Sequence, residues 1–413
     1  MIDRRLQVRI ALAEKRCLLA QQRYPQNDQR LLDPLQKLAD LYYRAGRRCQ
    51  ALELFRRCWD IYQISGCRDE TRLVAILEHL AILLSMDGRY GEAKPLFQRL
   101  LDIRTKRHGP ESLEVARALC HLGTVHRSTN NNREAEDLLQ RSLAIAQRHG
   151  RCGDKLRSMI YANLTGVYRE RGDIARALEC CQRSIELEER LEGPDTLKQA
   201  GRYNNQGRLY LDLGEREKAE ACYLRSLDIR IKHYGHFHPD LVHNLVNLGE
   251  LYCLSGDYDK SERYLFQAVA VAEKTLSPSD PLNGFVSYHL GNLCLARGYY
   301  ESAEGHYHRA LENIEKAMGR IFPEVGIIHL RLAQLMQRNG LWEMSLEEAG
   351  LAASILEKVE SFDAPEKREI DEIMIRAYRE LGRHDEAERL ERSAFGENRK
   401  GESRKIDGDH GAC

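Results

Sequence analysis

Seven positions spaced 42 residues apart carry side chains suited to gripping another polypeptide: His79, His121, Asn163, Asn205, Asn247, His289 and Arg331. Three asparagines stand in succession at the centre of this series. An amide offers a donor and an acceptor at once, so a row of amides can bond the main chain of an extended peptide without reading its sequence. Arg127, Arg169 and Arg208 fall on the same helical face and would favour an acidic ligand. The competing reading is a solvated polar face with no ligand, and spacing alone leaves both open.

Other constellations carry less chemistry. His233, His236 and His238 cluster before Pro239. Structural zinc takes four ligands, commonly with cysteine, and no cysteine lies near them in sequence, so a loop-capping role is expected and no metal. His238-Pro239-Asp240 coincides with the short signature of chaperone J-domains, but its place in a loop makes the match accidental. His306 and His308 stand two apart on a helix and face different ways. No G-x-S-x-G, H-E-x-x-H, P-loop or G-x-G-x-x-G occurs. An enzyme is therefore the least favoured class, and no cofactor is expected.

The elements that position these residues repeat with the same period. Gly46, Gly88, Asn130, Gly172, Gly214, Gly256, Gly298, Gly340 and Gly382 form one series at a spacing of 42 without slippage. A fixed period of this size denotes a solenoid. Before Gly256, Leu245, Leu248, Gly249, Leu251 and Tyr252 recur at helical spacing; after it, Tyr258, Ser261, Tyr264, Leu265, Ala268 and Val269 do the same. Each unit reads as two amphipathic helices, A and B, joined by a turn in the left-handed conformation that glycine or asparagine adopts most readily. Small residues seven before the turn (Ala39, Ala81, Gly123, Thr165, Gly207, Gly249, Gly291, Ala333) and five after it (Ala51 through Ala387) let A and B approach closely. Pro239, Pro281, Pro323 and Pro365 are expected at the first position of helix A, where a missing N–H is harmless.

This grammar of small residues resembles tetratricopeptide repeats. The 42-residue period and loops such as YGHFHPD are similar to the long variant of kinesin light chains and related proteins. The resemblance implies an all-α, right-handed superhelical α-solenoid with A helices lining a concave face. It also implies peptide contact at Asn163, Asn205 and Asn247 only, the slot that touches ligands in similar repeats; His121, His289, Arg127, Arg169, Arg208 and Arg331 are expected along the same groove from their own positions on the helix face. The clamp by which some repeat co-chaperones hold acidic tails needs a Lys and Arg pair on the helix following the asparagine. After Asn163 that helix offers Gly201 and Asn205, after Asn205 it offers His243 and Asn247, and after Asn247 it offers Phe285 and His289. Such a clamp is not expected.

Composition bounds the rest. Lys plus Arg and Asp plus Glu are both 63 in the 413 residues, so bulk charge offers no attraction to nucleic acid or an anionic membrane. No run of apolar residues is long enough to span a bilayer, and MIDRRLQVRIALAEKR is too charged for a secretory core. Twelve cysteines include Cys180 and Cys181 in the slots of Leu96 and Phe97, and Cys222 in the first of these again. Reduced thiols acting as small hydrophobes in a cytoplasmic protein are expected. The organisation expected is a capping helix over 1–32, nine repeats over 33–394 and a disordered polar tail over 395–413. The function expected is a non-enzymatic adaptor holding a segment of another protein; a regulatory receptor for a signalling peptide or small molecule is the alternative. The sequence names neither the partner nor an oligomeric state.

Overall fold

Amphipathic sequence interrupted at a fixed interval by a residue that tolerates positive φ folds as helix, turn, helix. The computed structural model describes residues 4–358 and 364–395 and bears this out: among the described residues there are nineteen α-helices and no strand. The expected tail beyond residue 395 lies outside the described residues.

The chain divides into two compact units, Met1–Gly193 and Pro194–Cys413. The first holds α1 (Arg4–Arg23) and four hairpins: α2 (Leu32–Arg44) with α3 (Arg48–Ile64), α4 (Glu70–Met86) with α5 (Tyr90–His108), α6 (Leu113–Ser128) with α7 (Asn132–Arg148), and α8 (Asp154–Glu170) with α9 (Ile174–Glu192). The second holds five: α10 (Leu197–Asp212) with α11 (Arg216–Tyr234), α12 (Asp240–Leu254) with α13 (Tyr258–Thr275), α14 (Pro281–Arg297) with α15 (Tyr300–Met318), α16 (Pro323–Arg338) with α17 (Trp342–Lys358), and α18 (Ala364–Glu380) with α19 (His384–Phe395). Within each unit every helix packs on its neighbours in sequence, and helix A also touches the following helix A at α6 and α8, α10 and α12, α12 and α14, and α16 and α18.

All nine turn residues are left-handed, the glycines with φ between 73° and 82° and Asn130 with φ 59°. The geometry follows the Schellman pattern. In the sixth repeat the Gly256 N–H donates to the Cys253 carbonyl (3.1 Å) and the Asp257 N–H to the Tyr252 carbonyl (3.0 Å). Two orphan carbonyls at the end of helix A are satisfied in this way.

The small residues fill the A–B seam. Ala51, Ala93, Ala135, Ala177, Ala219, Ser261, Ala303 and Ser345 are fully buried. The two serines are tolerated there because Ser261 Oγ donates to the Gly249 carbonyl (2.7 Å) and Ser345 Oγ to the Ala333 carbonyl (2.9 Å). On the facing helix, a Cβ built on Gly207 would lie 2.7 Å from the Tyr223 ring, and one on Gly291 would lie 2.6 Å from the Tyr307 ring. Glycine and a large aromatic are thus complementary across the seam.

At three places a tyrosine ties helix A to the helix before its hairpin. Tyr168 Oη donates to Glu136 on α7 (3.0 Å), and Tyr252 Oη to Glu220 on α11. Tyr42 Oη donates to Glu14 on α1 at 2.8 Å, so α1 meets α2 much as a helix B meets the following helix A. Ile10 and Cys17 of α1 are buried in the core that contains Leu38 and Cys58. Pro281 and Pro323 open their helices as expected, whereas Pro239 stands one residue before α12 and Pro365 is second in α18. The cysteines among the described residues are free. Cys180 and Cys181 are buried, Cys222 is half-buried, and burial pushes the Cys180 thiol up to about 11.

Candidate functional site on the A helices

A residue nine positions before the turn lies on helix A, away from its own helix B. At His79 and His121 the structure places it in the seam with the preceding repeat, where it meets the aromatic ring nine positions after the preceding turn. His79 stacks on Phe55 with ring centroids 5.0 Å apart and planes 3° from parallel; its Nδ1 also bonds the Ala75 carbonyl at 2.9 Å. His121 stacks on Phe97 at 5.1 Å and 9°. Burial pushes the His121 imidazole down to about 4; Arg104 and Arg117 act in the same direction and Glu78 opposes. Burial likewise lowers His289, which meets Tyr288 edge-on at 5.0 Å.

The asparagines divide between the units, with Asn163 in the first and Asn205 and Asn247 in the second. Asn163 Nδ2 donates to Thr124 Oγ1 (2.9 Å) and to Cys120 Sγ (3.4 Å) on the preceding A helix. Asn247 Nδ2 donates to Asn204 Oδ1 (2.9 Å), which also accepts from Asn244 Nδ2 at 3.1 Å. Each of these amides uses its NH₂ between repeats and keeps its carbonyl oxygen for another partner. Asn205 is exposed and makes no side-chain hydrogen bond among the described residues.

The arginines are used in a similar way. Arg127 Nη1 meets Glu170 at 2.7 Å, Arg208 Nη1 meets Glu250 at 2.9 Å, and Arg331 Nη1 meets Glu369 at 3.2 Å, in each case on the following A helix. Arg127 lies across Gly166, where a Cβ would come within 2.7 Å of its guanidinium. Of the four expected cations only Arg169 is exposed and without an ion pair among the described residues. A series of bare cations facing an acidic ligand is therefore not what the A helices present; most of that charge is neutralised between repeats.

Sequence reasoning did not single out the acids Glu170, Glu250 and Glu369, although each lies about one period after its arginine. It also missed Gln334 and Gln337. These line an open trough of about 500 Å³ between α16 and α18, with Arg338, Glu369, Ile373 and Arg376. Within it, Gln337 Nε2 donates to the Ile373 carbonyl at 2.7 Å.

Two histidines of the cluster before α12 are engaged with the fold. His233 Nε2 bonds the Asp195 carbonyl at 2.7 Å, and His238 stacks on Tyr234 at 3.8 Å. His149 makes the bond equivalent to that of His233, to the Glu111 carbonyl at 2.8 Å. Among the described residues no group of His, Cys, Asp or Glu is arranged to hold a metal ion. No helix among them is long and apolar enough to cross a membrane.

Tandem helix hairpins with Schellman turns and a small-residue seam define an α-helical repeat protein. The family model described as Tetratricopeptide repeat matches residues 72–148, 156–232 and 240–316, and a second of the same description matches 373–390. The chain belongs to the tetratricopeptide repeat family. Comparison with curated proteins gives no match. Among solved structures, the apo form of RapI is 17% identical over 70% of this chain and 98% of its own, with a TM-score of 0.56. A chain of the APC/C hetero-tetramer Cut9–Hcn1 is 14% identical with a TM-score of 0.52; the match covers 84% of this chain and 55% of that one. A kinesin light chain protein of Podosopora anserina with nearly identical TPR-like repeats is 20% identical over 50% of this chain and 97% of its own, with a TM-score of 0.40.

Proposed function

We propose that this chain is a non-enzymatic adaptor that holds an extended or helical segment of another protein along its helix-A face. Family membership supports a protein-interaction scaffold in general. The observation that carries the finer reading is Asn205, an exposed amide whose side chain makes no hydrogen bond among the described residues, one repeat before Asn247. Within the same unit as Asn205, Asn247 and Gln337 engage their amide nitrogens and offer their carbonyl oxygens as acceptors of the same chemical kind. Amides bond a peptide main chain irrespective of its side chains, so sequence preference would come from residues around them. The balanced charge of the chain supports a protein partner over nucleic acid.

The test is affinity capture from native lysate with wild type and with Asn205→Ala combined with Gln337→Ala. Each lost hydrogen bond should weaken binding by a net ~0.5–1.5 kcal/mol, roughly two- to tenfold. Undiminished capture by the folded double variant would move the binding site off this face.

A further inference from the structure

We propose that the cleft between α1 and α2 is a docking site for an acidic amphipathic helix of a partner protein. This site is separate from the asparagine positions and does not rest on the function proposed for them. Helix α1 has two apolar faces. One carries Ile10 and Cys17 into the core. The other carries Val8, Leu12 and Leu19, which are 65%, 51% and 55% exposed. At 1.5 Å per residue this second stripe runs about 16 Å along the helix axis, a line that matches the stripe of another helix.

Beside the stripe, Arg9, Leu12, Ala13 and Arg16 of α1 face Lys37, Leu41 and Arg44 of α2 across a cleft of about 380 Å³. Arg9, Arg16 and Arg44 make no ion pair among the described residues, whereas Lys37 is held by Asp33 at 2.7 Å. Asp40 also lines the cleft, where burial pushes its carboxyl up. Between residues 4 and 23 the sequence holds six cations (Arg4, Arg5, Arg9, Lys15, Arg16, Arg23) and one acid, Glu14, which accepts from Tyr42.

Charge selects the occupant. A second copy of α1 would set cations against cations, since its only acid is engaged with Tyr42, and like charges brought together disfavour pairing. An acidic helix places leucines on the stripe and carboxylates against Arg9, Arg16 and Arg44. An anionic lipid surface would also attract the cations, but the wall supplied by α2 makes a cleft that suits an inserted helix better than a planar surface.

The experiment uses the full chain and three probes: a fluorescent synthetic helix of Leu and Glu with leucines at alternating third and fourth positions, the same helix with Lys for Glu, and vesicles of phosphatidylserine and phosphatidylcholine. The Leu–Glu helix should bind, more weakly as salt rises, and the Leu–Lys helix should not. Arg9→Glu with Arg16→Glu should weaken binding about tenfold, since two attractions of exposed ion-pair size become repulsions. Leu12→Asp should weaken it as well, while Asn205→Ala should leave it unchanged. All substituted side chains are exposed, so circular dichroism should show wild-type helix content. Equal binding of both helices, or wild-type binding by the folded double variant, would overturn the proposal. Binding of vesicles without binding of the Leu–Glu helix would overturn it in favour of a lipid surface.

Discussion

His121 lies flat on Phe97, with ring centroids 5.1 Å apart and planes within 9° of parallel. Burial in the seam between two repeats holds its folded-state value at about 4, below the ordinary 6.5. Between those two values the unfolded chain binds a proton that the folded chain does not. Stability from this group is therefore complete above pH 6.5, is lost as pH falls toward 4, and changes no further below that. The loss is on the order of 3 kcal/mol. His121→Phe should flatten the fall in unfolding free energy over that window in denaturant melts, and NMR should find the wild-type imidazole neutral at pH 5. A His121 that titrates near 6.5 would show that the seam is open to water.

Gly214 and Asn130 occupy the same turn with φ 76° and 59°. Gly214→Val places a β-branched residue in the left-handed region, at a cost of roughly 1–2 kcal/mol from chirality alone and more from branching. Asn130→Gly should be neutral or slightly stabilising. Calorimetry on both compares one position with opposite expected signs, and equal effects would contradict the Schellman assignment.

The turn series was legible because its residues answer to the backbone of their own hairpin. The A–B seam was legible for the same reason, since a small residue at a fixed helical offset has one neighbour to suit. The seams between repeats were harder to read. The spacing of Asn163 gives its face on α8, but not that Thr124 and Cys120 of α6 take its amide N–H groups. Likewise, Arg127, Arg208 and Arg331 look like free cations until Glu170, Glu250 and Glu369 are brought beside them by repeat stacking.

A second glycine series escaped notice because Cys67, Arg151 and Ser277 interrupt it. Gly109, Gly193, Gly235 and Gly319 end their B helices with φ between 76° and 89° and ψ within about 25° of 180°. This region is essentially closed to side chains. Gly235→Ala should therefore destabilise by roughly 1–3 kcal/mol although no atom lies within 4 Å of its Cβ position. A melting temperature equal to wild type would refute the backbone argument, since sterics from neighbours are absent.

The three asparagines should respond differently to truncation. Asn205→Ala removes an exposed amide without a partner and should leave the melting temperature unchanged while weakening capture. Asn163→Ala leaves Thr124 Oγ1 without its donor and should cost about 0.5–1.5 kcal/mol of stability. Asn247→Ala removes one of the two amide donors to Asn204 Oδ1, which keeps Asn244, and should cost about 0.5 kcal/mol, the low end of that range. Thermal melts separate the two classes. If all three variants melted alike, the inter-repeat bonds would have no energetic weight.

Solenoid stability is approximately a sum of repeat and interface contributions, so the position of a cut should decide its effect. A fragment of residues 1–193 retains α1 and four complete hairpins, together one compact unit. It should stay helical and unfold cooperatively. A fragment beginning at Gly256 keeps α13 but loses α12, against which α13 packs. Leu265 and Ala268 of α13, fully buried in the intact chain, would then face water. Burying a leucine side chain is worth about 1.5–3 kcal/mol, and an apolar face left open promotes association. This second fragment should elute as aggregates in size-exclusion chromatography where the first elutes as a discrete species. If the first fragment were unfolded by circular dichroism, the chain would be a single cooperative body and the additive description of its repeats would fail.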